Sequence, residues 1–271
     1  MARFSACFLL VFGQLAVGGV AALAVPPFGA IERGFFKSSA AVFLAAAIVY
    51  VAGRSVLAAR AVSPWTPAEL LLWAGFVAAL ATYLASLWGD AVRLRARAFA
   101  SALALGVLAL ADSAAAYRVG PLASPATVFY PLAFLTGALA LGAVATGMLL
   151  GHWYLIDLGL SLAPMRRLFR YFIGALVLHV VVLTLTIVAM AAGPVDASTA
   201  VRALWQDNAG LVALRFVLGP LAALGLGWMI HRTLQIPQTM AATGLFYIAI
   251  LFVLVGELLG RLILFRTSLP L

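Results

Sequence analysis

Of the chain's 271 residues, 66% are hydrophobic and 9% charged, with a mean hydropathy of +1.15, a balance that excludes a soluble globular domain. Lys and Arg total 17 against 8 acidic residues, and every base except Lys37 is Arg. Most of these arginines stand at the ends of apolar runs, where they act as topology signals, so nucleic acid is not an expected partner. A single cysteine, Cys7, rules out an intrachain disulfide and any iron–sulfur cluster ligated by cysteines of this chain.

Windows of about 20 apolar residues mark eight spans, at 4–25, 38–58, 66–88, 97–117, 126–156, 170–192, 209–231 and 239–262. The expected fold is therefore all-α, a polytopic integral membrane protein of eight transmembrane helices, with 1–271 as one transmembrane domain and no soluble domain. The first run follows Met1-Ala2-Arg3 and ends in Ala21-Ala22-Leu23-Ala24, as a signal peptide would. Gln14, Gly18 and Gly19 interrupt it and read instead as packing positions of a retained helix. Pro131 and Pro220 fall inside spans five and seven and are expected to kink them. The longest connections, near 158–169 and 193–208, are expected to be loops.

Charge in the loops sets an expected orientation. The odd-numbered loops hold nine bases, Arg33, Lys37, Arg93, Arg95, Arg97, Arg166, Arg167, Arg170 and Arg232. The even loops and termini hold five, Arg3, Arg60, Arg118, Arg202 and Arg266. The positive-inside rule then puts the odd loops in the cytoplasm and both termini outside. Six arginines in loops three and five exceed what orientation needs and suggest an acidic docking partner.

Charged residues inside the spans carry the functional argument. Counting the helical rise from the odd-loop side places Arg54 at about 25 Å, Asp112 at about 22 Å, Arg215 at about 24 Å and Glu257 at about 28 Å. Two acids and two bases thus share a depth, and an unpaired charge in a span costs roughly 2.5–3.5 kcal/mol, so they are expected to pair. Helices seven and eight are joined by a short loop, which makes Arg215 with Glu257 the first choice of pair. Arg261 lies one turn beyond Glu257, while Gly256 and Gly260 form a small-xxx-small pair that admits a neighbouring helix. The layer reads either as salt bridges that staple helices, as a site for a polar-headed, apolar-tailed ligand such as a quinone, or as a path for ions or protons.

Haem b would have to rest on His152 and His179, because a bis-histidine haem takes axial imidazoles from facing helices. His152 lies about 8 Å inside Asp157 and His179 about 13 Å inside Arg170, a poor match in depth. His231, beside Arg232, reads as an interfacial residue. No nucleophile–base pair, phosphate loop or cluster of metal ligands stands out, so an enzyme acting alone is not expected.

Two motifs carry a family resemblance. Val11-Phe12-Gly13-Gln14 followed by Val17-Gly18-Gly19, and Gly256-Glu257-Leu258-Leu259-Gly260-Arg261, resemble the first and the closing helix of the membrane-anchor subunits of dimethyl-sulfoxide reductase and of the polysulfide-reductase type. Such anchors are eight-helix proteins with outside termini. They bind quinol and hand electrons to an iron–sulfur subunit, which passes them to a molybdenum enzyme. The resemblance spans about 30 residues and carries over roles only to Gln14, Glu257 and Arg261. The histidine that those anchors place at the end of helix two has no counterpart here, where Arg54 is the ionisable residue inside that helix.

The expected function is a non-catalytic anchor subunit of a respiratory oxidoreductase in a bacterial inner membrane, without a redox centre of its own. Its implied ligand is menaquinone or ubiquinone, and its implied partners are an iron–sulfur subunit, a molybdenum catalytic subunit, other membrane subunits and lipid. The candidate quinone-binding or proton-handling residues are Gln14, Arg54, Asp112, Arg215, Glu257 and Arg261. A small secondary transporter or ion-conducting subunit, and a haem-b cytochrome subunit, are the alternatives.

Overall fold

In the computed structural model, residues 2–60, 65–118, 122–157, 159–193, 195–236 and 238–271 are described. Eight helical segments are long and apolar enough to cross a membrane, and no strand occurs among the described residues. The protein is an all-α, multi-pass membrane protein. In order, the helices are α1 (Ala2–Leu23), α2 (Arg33–Ala59), α3 (Pro67–Ser86), α4 (Val92–Ala115), α5 (Ala126–Trp153), α6 (Ala163–Ala191), α7 (Val195–Asp207), α8 (Ala209–Phe216), α9 (Ala222–Gln235) and α10 (Thr239–Thr267). The seventh crossing is composite: α8, a π-helical turn at Val217–Leu221, and α9 together make the run Ala209–Gln235.

The bundle is built around α1 and α5. Buried positions make up 72% of the α5 window and 67% of the α1 window but only 28% in α3, which identifies the first two as central and the last as lipid-facing. Small residues allow this. A methyl group at Gly18 would overlap the Ala138 carbonyl, and one at Gly142 would overlap the Gly18 backbone, so α1 and α5 cross almost backbone to backbone. Gly19 in turn leaves room for the Phe43 ring of α2. The interruptions of the first apolar run are thus packing positions, as expected. Outward faces carry Leu71, Leu108, Val188 and Leu251, all exposed, as a surface bathed in acyl chains requires.

Several helix boundaries depart from the apolar windows. α2, α4 and α6 begin five to seven residues before the expected spans, at Arg33, Val92 and Ala163. A hydropathy window stops at the first arginines, whereas the backbone keeps its hydrogen bonds and the long side chains reach back toward water. Arg93, Arg95, Arg97, Arg166, Arg167 and Arg170 therefore lie on helices rather than in loops. The stretch expected as loop 193–208 contains α7, whose Val201 and Leu204 pack inward. α5 runs through Pro131 as a continuous helix, while Pro220, which cannot donate to the carbonyl one turn back, sits in the π turn. α3 starts with Thr66 capping the Glu69 N–H at 3.1 Å and Pro67 in the first turn.

Candidate functional site

Glu257, on α10, is 1% exposed and is met by four side chains on four helical segments. Arg215 Nη2 of α8 lies 2.6 Å from its Oε1, and His179 Nε2 of α6 lies 3.0 Å from the same atom. Gln14 Nε2 of α1 donates to Oε2 over 2.8 Å, and Arg261 Nη2, one turn on in α10, donates to Oε2 over 3.2 Å. All five residues are buried. Desolvation makes the isolated carboxylate expensive, and two guanidiniums and an amide donate to it.

Glycines make the space for this arrangement. A Cβ at Gly256 would stand 2.6 Å from Gly219 Cα and 2.8 Å from Arg215 Nη1, so the guanidinium lies in a slot between two bare backbones. At Gly137 of α5 a Cβ would collide with the Glu257 carboxylate and stand 2.8 Å from Gln14 Nε2. The ring of Phe134 supports the far side, with Arg261 Cζ 3.8 Å from its centroid, and the Phe134 carbonyl takes the second Gln14 donation at 3.1 Å.

His179 has two alternative bonding patterns. Its Nδ1 is 2.9 Å from Thr136 Oγ1, and its Nε2 is 2.8 Å from Arg215 Nη2 as well as 3.0 Å from Glu257. Thr136 Oγ1 also donates to the Leu132 carbonyl at 2.8 Å. With the hydroxyl proton spent there, the neutral ring carries its proton on Nδ1, and Nε2 accepts from Arg215. Once protonated, the same Nε2 donates to Glu257 instead. Two arginines against one carboxylate leave the cluster net positive in either state. Arg215 Nε, Arg261 Nε and Nη1, and Gln14 Oε1 are buried without hydrogen-bond partners among the described residues. A cavity of about 10 Å³ touches His179, Arg215, Glu257, Gly219 and Pro220. That is room for one water molecule.

A second buried group lies between α2, α3 and α4. Arg54 Nη2 meets Glu69 Oε1 at 3.1 Å and Oε2 at 2.9 Å, while its guanidinium lies over Trp65, 4.6 Å from the ring centroid. Ser113 Oγ donates to Glu69 Oε1 at 3.0 Å, and Trp73 Nε1 donates to Ser113 Oγ at 3.0 Å. The Tyr50 ring packs at a tilt against Trp73, with its hydroxyl 3.2 Å from Ser113 Oγ.

Compared with family models, curated proteins and solved structures, the chain matches none.

The expected layer of four charges is thus two separate groups. Arg215 pairs with Glu257 as anticipated, and Gln14 and Arg261 join them. Arg54 pairs with Glu69, which had not been singled out, and Asp112 is half-buried and makes no ion pair among the described residues. Glu69 stands three residues after Thr66 in a Thr-Pro-x-Glu sequence that reads as a helix cap, and its carboxylate turns to Arg54. Counted from Arg170, His179 lies about 13 Å in; from Ala163, where α6 begins, it lies about 24 Å in, level with Arg215. His179 meets α5 at Thr136, sixteen residues or about 24 Å from His152, which is exposed. The two candidate haem histidines are not brought together. The cavity that adjoins these charges measures about 10 Å³.

Proposed function

We propose that this chain is a non-catalytic membrane anchor of a respiratory oxidoreductase, which handles quinone or quinol and docks an iron–sulfur partner that serves a molybdenum enzyme. One observation carries the reading. The two sequence motifs that resemble such anchors meet in space, with Gln14 of the first helix donating to Glu257 of the last over 2.8 Å. In this reading the quinone ring stays outside the cluster, menaquinone or ubiquinone supplies or takes up protons, and the electrons pass to the partner. Glu257, with His179 Nε2 within reach of both it and Arg215, is the proton-exchanging element, while Gln14 and Arg261 hold the carboxylate. Arg54 belongs to a structural pair, and Asp112 has no assigned part.

The membrane proposed is a bacterial inner membrane, with both termini outside and the arginine-rich starts of α4 and α6 facing the cytoplasm, because the nine-to-five bias in bases follows the positive-inside rule. The experiment is purification of the tagged chain from its own membranes, with iron and molybdenum analysis and extraction of quinone. Iron and molybdenum in stoichiometric amounts, with a bound quinone, support the anchor; a chain that purifies alone and metal-free defeats it.

One observation favours a second reading, a proton- or ion-conducting subunit. The water-sized cavity beside His179 and Glu257, together with four spare hydrogen-bonding atoms, provides a relay point without any redox partner. Proton flux through the chain alone in proteoliposomes would decide for it.

A further inference from the structure

The end of α1 and the starts of α2 and α4 enclose an open cavity of about 470 Å³. Its walls are mainly apolar, from Leu23, Val25, Pro26, Phe36 and Phe99. Its charged lining residues are Arg33, Arg95 and Arg167, with no acidic side chain among the residues that line it. Three cations around an apolar chamber at a helix-end surface match one chemistry, an amphiphile with an anionic head and an acyl tail.

Arg95 makes this a built site rather than a chance groove. It is 7% exposed, its guanidinium is 4.9 Å from the Phe28 ring centroid, and its Nε is buried with no hydrogen-bond partner among the described residues. Its Nη2 has only a long contact of 3.5 Å, to the Gly89 carbonyl. A buried guanidinium with unused donors costs free energy that a phosphate would recover, because Arg forms charge-assisted, bidentate bonds to phosphate oxygens. Arg33 is partly neutralised by Asp90 at 2.9 Å, but that pair is exposed and weak. Arg167 is exposed and carries no such partner among the described residues.

We propose that this cavity binds an anionic phospholipid of the leaflet on the side of the arginine-rich helix starts, its phosphate held by Arg95 and Arg167 and an acyl chain laid along Leu23, Phe36 and Phe99. A neutral quinone ring does not account for Arg95 and Arg167, which have no ion pair among the described residues. The inference is independent of the function proposed above, since none of the residues that line the cavity belongs to the Glu257 cluster.

The test is native mass spectrometry of the full chain in detergent, offered equal amounts of phosphatidylglycerol and phosphatidylcholine, with inorganic phosphate and ubiquinone as separate competitors. Retention of phosphatidylglycerol by about tenfold over phosphatidylcholine is expected, the scale of one charge-assisted contact. Arg95→Gln and Arg167→Gln should each reduce that preference, and Arg93→Gln, which lies off the cavity, should not. Arg167→Gln is exposed and decides the matter if Arg95→Gln fails to fold. Equal retention of the two lipids, an unchanged preference in Arg167→Gln, binding of inorganic phosphate without lipid, or displacement of the lipid by ubiquinone would each overturn the proposal.

Discussion

Gln14 and Glu257 stand 243 residues apart in the chain and 2.8 Å apart in space. That bond joins the first helix to the last, and it depends on Gly137, where any side chain would occupy the contact. The carboxylate it reaches also holds Arg215 and Arg261, so one buried group ties α1, α8 and α10 together.

The first prediction concerns that carboxylate. Glu257→Gln leaves two buried guanidiniums without a counter-charge, and breaking a buried pair in this way costs about 3–5 kcal/mol. We expect a large fall in folded yield and in thermal unfolding temperature measured in detergent. Adding Arg215→Leu removes one of the two stranded charges and should restore part of the fold. If Glu257 exchanges protons, the restored double variant remains inactive in quinol-linked electron transfer, because no replacement titrates. A fully active Glu257→Gln single variant would remove Glu257 from the site.

The slot that holds Arg215 yields the second. Gly256→Ala puts a methyl 2.6 Å from Gly219 Cα and 2.8 Å from Arg215 Nη1, which forces either the helices apart or the guanidinium out. Overpacking of this kind costs typically about 1–3 kcal/mol. Gly244→Ala, on the same helix, meets nothing within 4 Å and is the matched control. Thermal unfolding of the two variants should differ by that margin, with Gly244→Ala near the parent. Equal unfolding temperatures would mean that the close approach at 219 and 256 does not bear on stability.

How far the sequence anticipates this site depends on what sets each contact. Span number, the α1 packing glycines and the Arg215–Glu257 pair were legible because a bilayer fixes helix length and a short loop makes neighbours of helices seven and eight. Helix starts were not, since arginines end an apolar window without ending a helix, and the error propagated into the depth of His179. Glu69 was hidden for another reason: three residues after Thr66 its identity is already explained by capping, although its side chain serves Arg54. Which of several charges at one depth pair together is a matter of rotation about each helix axis. Asp112 and Ser113 are adjacent, yet only Ser113 reaches the Arg54–Glu69 pair.

The third prediction concerns docking and rests on the proposed anchor role. Arg93, Arg97 and Arg170 are exposed at the starts of α4 and α6, whereas Arg95 is buried against Phe28 and cannot meet a partner protein. Replacing Arg93, Arg97 and Arg170 by Gln should release an acidic partner at moderate salt without changing the unfolding temperature of the chain. Association in water falls with each exposed charge removed and with ionic strength. Iron that co-purifies with the tagged chain, followed across a salt series, provides the measurement. Identical iron retention by parent and variant at every ionic strength would assign these arginines to orientation alone.

The last prediction separates a structural charge pair from a working one. Glu69 accepts two bonds from Arg54 and one from Ser113, and Arg54 is further fixed over Trp65. The pair spans α2 and α3 and borders neither the His179 cavity nor the arginine-lined chamber. Its work is to hold the peripheral helices to the core, so Glu69→Leu alone should cost about 3–5 kcal/mol by stranding the Arg54 charge. Arg54→Leu with Glu69→Leu should cost much less, since two apolar side chains of similar bulk replace a pair that recovers little beyond its own desolvation. Unlike the Glu257 double variant, this one should keep its quinol-linked activity once it is folded. Loss of activity in a stable Arg54→Leu, Glu69→Leu chain would make the pair part of the functional site.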